Sequence, residues 1–330
     1  MALCYTCPVI LGVVFSVIVS LLTALYIIPR KFSRQSSTLY TVYMGLAIFL
    51  GAAIWYLIAW GFELRDRETL LSVWHLLSAL RGVCWTTAVI FLIMAIDKIG
   101  LSKSNQWKNL QGPIACILMI SFLSDVAGIK ILYVVGGMLA IFVSAALFTV
   151  RAETDNKKTI NIGILYAILG AVGFGLDAFL QKMLTNEGFV YSQHFYFGAA
   201  VFVTALIFYF VAKQPNQIPV QEGKFALEQQ KDPNKKERFK KLKDLFKVSK
   251  QTWLPIIGGT LLCICSIFQV LANTLISGAI SFSIVQLNAV WVILIGIFVF
   301  KEINFKKHWL RITAGFVFAI GAIVLLMFAL

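Results

Sequence analysis

Charge is scarce in this chain. Of its 330 residues only 13% are Asp, Glu, Lys or Arg, where soluble globular domains carry about a quarter, so a water-soluble fold is excluded. Histidine is scarcer still: His75, His194 and His308 are the three, each falls at a predicted helix end, and none has zinc-ligand spacing. Cys4-x-x-Cys7 has the spacing of a redox or metal pair, but no second ligand pair follows it. These two, with Cys84, Cys116, Cys263 and Cys265, therefore read as packing residues or free thiols. A P-loop and a Ser/His/Asp grouping are both missing, so no catalytic constellation and no cofactor is implied. The opening residues lack a basic region and a small-residue cleavage site, and Met1–Ile27 reads as a retained first span rather than a signal peptide.

What fills the chain instead is apolar sequence, at 59% hydrophobic residues. Ten apolar segments can be drawn, near 8–28, 38–62, 72–96, 104–123, 131–150, 161–182, 192–212, 252–275, 280–300 and 309–329. Each is long enough to cross a bilayer as a helix. The net charge of +14 lies mostly in the loops between them, so topology accounts for it without nucleic acid. Lys and Arg concentrate in the loops after segments 1, 3, 5, 7 and 9. The positive-inside rule puts those loops in the cytoplasm and both termini outside. The one long connection, 213–251, is polar at first. It then becomes basic, with Phe239, Leu242, Leu245 and Phe246 at helical spacing, which suits either an anionic cytoplasmic leaflet or a solvated cap on the next helix.

The chain also repeats itself. Shifted by 177 residues, Ala95–Asp125 lands on Ala272–Glu302 without a gap, and Asn109-Leu110-Gln111 falls on Gln286-Leu287-Asn288 with the amides exchanged. Later, Leu132 and Gly137 match Leu310 and Gly315, and Tyr43-x-Gly45 matches Tyr196-x-Gly198. The expected fold is an all-α integral membrane protein of ten transmembrane helices in two five-helix repeats, 1–150 and 161–330. Residues 151–160 connect them, and the loop 213–251 interrupts the second. An odd number of spans per half inverts one half relative to the other.

Amides in lipid-grade sequence are costly unless they meet polar partners, and matched polar groups in repeated halves point to a transporter's central site. Asn109, Gln111, Gln286 and Asn288 are therefore candidate binding residues. Trp85, Trp107 and Trp291 fall at a similar level, where a ring can lie under the C–H face of a sugar; interfacial anchoring or helix packing is the plainer reading. Gly112-Pro113 is expected to interrupt the fourth helix. Of the cations only Arg81 and Lys108 fall inside spans, and Lys108 is shallow enough to snorkel outward. Asp177 is the one acid well inside a span, and it either pairs with a cation as helix glue or titrates and couples protons.

Gly82-x-x-Trp85, leading through Ala95-x-x-x-Ile99-Gly100-Leu101-Ser102-Lys103-Ser104 into a polar fourth helix, resembles the drug/metabolite transporter superfamily. Gln286–Leu326, with Phe300-Lys301-Glu302 before a glycine-bearing last helix, is similar to the close of the glucose/ribose porter and rhamnose transporter branch. Asn105-Gln106-Trp107-Lys108 is more polar than that branch's pattern, and the cytoplasmic loop is longer. The resemblance implies a multi-pass protein of the cytoplasmic membrane, monomeric or homodimeric. It would carry a sugar or similar small polar solute by alternating access, with protons as the candidate coupling ion. The other function it allows is export of amino acids, amines or other metabolites.

Overall fold

The computed structural model describes residues 3–64, 66, 72–123, 130–148, 157–211, 250–300 and 305–329. The loop 213–251 up to residue 249, the connection 151–160 up to residue 156, and Asp125, Lys301 and Glu302 lie outside the described residues. Among the described residues the structure is entirely helical. The helices are α1 (Leu3–Leu25), α2 (Ile28–Phe32), α3 (Ser37–Gly61), α4 (Val73–Ile99), α5 (Leu101–Lys108), α6 (Gln111–Phe122) and α7 (Ile131–Phe148). The second half supplies α8 (Lys157–Asn186), α9 (Ser192–Val211), α10 (Trp253–Leu275), α11 (Gly278–Val285), α12 (Asn288–Phe298) and α13 (Phe305–Ala329).

Seven stretches among the described residues are long and apolar enough to cross a membrane: Pro8–Phe32, Ser37–Gly61, Val73–Ile99, Thr159–Asn186, Ser192–Val211, Trp253–Leu275 and Gly278–Phe298. With no strand beside them, this is the profile of an integral membrane α-helical protein. Ile131–Ser144 is apolar but shorter. The expected fourth span forms as two short helices, α5 and α6, and the ninth likewise as α11 and α12.

Local signals set the helix ends. Ser36 caps α3, its hydroxyl accepting from the Leu39 N–H at 3.3 Å. At the head of α4 the Ser72 N–H donates to His75 Nδ1 at 3.0 Å, a capping box with histidine in place of Glu or Gln. Gly100 has φ 81°, a left-handed value at which a side chain is strained, and it turns the chain from α4 into α5.

The helices pack in a pattern that maps onto itself when the halves are exchanged. α4 lies on α8, and α1 on α10; α4 meets α9, and α10 meets α3; α3 and α9 pair with each other, as do α7 and α13. The repeat extends to a glycine: Gly82 shifted by the same 177 residues is Gly259. A Cβ at Gly82 would stand 2.6 Å from the Phe197 carbonyl oxygen, and one at Gly259 would meet the Met44 carbonyl oxygen and come 2.8 Å from Ala47 Cβ. Backbones thus touch at both crossings, the small-residue packing that membrane helices use. The main core, which includes Tyr26, Tyr40, Met44, Trp85, Leu92, Phe174, Phe197 and Val292, lies where these pairs meet.

Candidate functional site

Both broken helices break at the repeated amides. α5 ends at Lys108 and α6 starts at Gln111; α11 ends at Val285 and α12 starts at Asn288. Asn109 and Gln286 thus close one helix, while Gln111 and Asn288 open the next. Between them the backbone tightens into i→i+3 bonds, from Leu110 N–H to Trp107 O at 3.2 Å and from Leu287 N–H to Ile284 O at 3.0 Å. Such a tightened stretch inside a span marks a bend or a site under strain. Pro113, expected to make the interruption, instead sits in the first turn of α6. There its missing N–H has no intrahelical partner to lose, so the break precedes it.

The two breaks face each other. A Cβ at Gly112 would lie 2.6 Å from Gln286 Cγ and 2.8 Å from its Cδ, so the glutamine stem rests directly on α6. On the neighbouring turn Asn105 Nδ2 donates to Asn288 Oδ1 at 2.9 Å, and Asn288 Nδ2 donates to the Val285 carbonyl at 2.9 Å. Asn109 and Asn288 are buried and Gln111 is half-buried. Gln286 Nε2 returns to the Phe282 carbonyl at 3.1 Å, but its Oε1 is buried without a partner among the described residues. Asn109 and Gln106 leave both polar side-chain atoms in that state. A buried polar group left unbonded costs about 1–3 kcal/mol, so these amides have unspent donors and acceptors where the two helix breaks meet.

The tryptophans divide. Trp85 is buried, edge-on to Phe174 and Phe197 with centroids at 6.3 and 5.9 Å. Trp291 donates from Nε1 to Ser20 Oγ on α1 at 3.1 Å. Trp107 is half-buried.

The intramembrane charges form a second network. Arg81 Nε donates to Asp177 Oδ1 at 2.6 Å, Nη1 to Gln193 Oε1 at 3.1 Å and Nη2 to Ser266 Oγ at 3.1 Å, with the guanidinium 4.2 Å from the Phe197 ring centre. Asp177 is thus the counter-ion of Arg81, and one arginine ties α4 to α8, α9 and α10. Lys108 does not snorkel: it is 2% exposed, with its ammonium 5.7 Å from the Phe174 ring centre. Two more cations are interior than the sequence indicates: Lys182, placed by sequence at a helix end, is buried in α8 and donates to the Asn273 carbonyl at 2.8 Å, and Arg30 is buried in α2 against Asp97 at 2.8 Å.

Other polar groups escaped the sequence reading. His194, read as a helix-end residue, is buried with Nδ1 3.3 Å from Ser266 Oγ. Gln269 Nε2 donates to Asn273 Oδ1 at 3.0 Å and to Ser281 Oγ at 2.8 Å, and Ser281 meets Ser16 at 3.0 Å. Gln269 and Asn273 stand at i, i+4 within an apolar helix, where two amides are as costly as in the i, i+2 repeated pair. Among the described residues no His/Cys/Asp/Glu group could hold a metal, and Cys84, Cys116, Cys263 and Cys265 are free thiols.

Residues 238–329 match the model of the family described as sugar transport protein. That stretch contains α10 to α13, including Gln286 and Asn288. None of the curated proteins matches the chain. A solved structure described only as "Crystal structure of protein" aligns over 98% of both chains with a TM-score of 0.61 and 12% sequence identity. At that identity the likeness shows the fold alone.

Proposed function

We propose that this protein is a secondary transporter of a sugar, working by alternating access between two inverted five-helix halves of a ten-span fold in the cytoplasmic membrane. The observation that carries the proposal is the meeting of two broken helices at a duplicated amide pair. Broken spans at repeat interfaces are where transporters build their midplane sites. Asn and Gln each offer a donor and an acceptor, which a sugar hydroxyl can use together. The family match over residues 238–329 and the exchange-symmetric helix packing support the same reading. Proton coupling belongs to the proposal at Asp177, on the condition that a proton displaces Arg81 from Oδ1.

The test is substrate binding by Asn109→Ala, Gln111→Ala, Gln286→Ala and Asn288→Ala, measured on folded protein beside counterflow uptake in proteoliposomes. Each lost bond of about 1–3 kcal/mol should weaken binding by about one to two decades. A change in α5–α6 combined with one in α11–α12 should be non-additive. Four variants with wild-type affinity would reject the site.

A further inference from the structure

The proposed site contains a cation with no counter-ion. Lys108 is 2% exposed. Among the described residues its ammonium makes no ion pair or hydrogen bond; the face of Phe174 lies at 5.7 Å, and Cys265 is near enough to couple to it electrostatically. Arg81, of equal burial, shows what such a charge ordinarily has: a carboxylate at 2.6 Å and two further acceptors. Burying an ammonium without an anion is among the most costly arrangements a protein can hold. Lys108 adjoins Asn109 in the chain, at the helix break. Asn109 and Gln106, three residues apart on the last turn of α5, leave all four of their amide side-chain atoms unbonded though each residue is at most 4% exposed.

We infer that the solute taken here is an acidic sugar: Lys108 holds its carboxylate or phosphate group, and the amides of Gln106 and Asn109 take adjoining hydroxyls. The inference rests on the transport reading above and narrows its substrate class. Asp177 does not oppose it, because its charge is already met by Arg81. A cationic solute is disfavoured by the same field. Gln106 thereby becomes a substrate-binding residue, and Lys108 the residue that selects for charge.

The experiment uses the full chain in proteoliposomes. Uptake of labelled glucose is competed by unlabelled glucose, glucuronate, glucose 6-phosphate or inorganic phosphate, for wild type, Lys108→Met and Lys108→Arg. A charge-assisted hydrogen bond is worth about a tenfold to hundredfold gain in affinity. Wild type should therefore prefer glucuronate or glucose 6-phosphate to glucose by that factor, and whichever competes better identifies the acidic group. Lys108→Met should lose the preference, the acids competing no better than glucose, and Lys108→Arg should keep it. Should Lys108→Met fail to fold, the wild-type order decides alone. Glucose competing as well as both acids, or inorganic phosphate competing as well as the sugar acids, would overturn the inference while leaving sugar transport standing. If no sugar is taken up at all, the transport reading fails and this inference with it.

Discussion

Removing the Asp177 carboxylate should destabilise the protein more than it alters any binding site. Asp177→Asn leaves the Arg81 guanidinium 2% exposed with Gln193, Ser266 and the Phe197 ring as its remaining partners. Those contacts, at 3.1, 3.1 and 4.2 Å, already exist in the wild type, so they offset none of the loss. Stripping one partner from a buried pair costs about 3–5 kcal/mol, whereas replacing both with neutral side chains is often close to neutral. Asp177→Asn should therefore lower unfolding free energy by about 3–5 kcal/mol, and adding Arg81→Met should restore most of it. The assay is reversible unfolding by SDS in mixed micelles, run as a double-mutant cycle with a coupling of several kcal/mol expected. A single mutant within about 0.5 kcal/mol of wild type, or a double mutant whose effect is the sum of the two singles, refutes the reasoning. The same double variant also tests proton coupling. If it folds and still accumulates solute along a proton gradient, Asp177 is structural and the coupling lies elsewhere.

At Gly82 and Gly259 the substitution Gly→Ala places a Cβ against a backbone carbonyl, so each should cost about 1–3 kcal/mol of unfolding free energy; stability unchanged at both sites would mean the crossings are looser than described. For topology, Arg34→Cys in a cysteine-free background should be shielded from an impermeant external thiol reagent, and Glu187→Cys should react. The opposite labelling would reverse the orientation.

The parts of this fold that were legible in the sequence are those governed by period and repetition. Apolar runs define the spans because a bilayer demands length, and the 177-residue shift picks out both amide pairs, though it gives no sign that the ninth segment is broken at the second pair. Break position was less legible. Pro113 drew attention to itself, yet the chain bends at Asn109-Leu110, where i→i+3 bonds replace the regular ladder. Partners of the charges were not legible, since Arg81 and Asp177 lie 96 residues apart in sequence and no local pattern links them. Depth was misjudged wherever the neighbours of a helix end were unknown. Lys182 stands near the end of α8, and it is the stem's packing on Gly278 and the Asn273 carbonyl that keep it inside. Gln269 and Asn273 carried a usable signal, two amides on one helix face, that the repeat obscured because they have no amide counterparts at 92 and 96.

One group of polar contacts between the chain's two halves bears directly on the alternating access proposed above. Asp66 accepts from the N–H groups of Val190, Tyr191 and Ser192 at 2.8, 3.0 and 2.5 Å, placing a negative charge at the head of α9 where the helix dipole favours it. Ser78 donates to the Gln193 carbonyl at 2.5 Å, and Arg81 adds its bonds to Asp177, Gln193 and Ser266. All of these cluster toward the start of α4, the start of α9 and the C-terminal third of α8. Toward the other end of α4, Asp97 binds Arg30 at 2.8 Å and Ser37 at 3.0 Å, both from its own half. A rocking motion that opened the α9 end would strand Arg81 unless Asp177 or Ser266 moved with it, whereas the Asp97 cluster can travel intact with its half. Any second conformation must therefore either keep α4, α8 and α10 together around Arg81 or supply that guanidinium with another anion. The cost of an unpaired buried charge makes this the stiffest constraint in the fold.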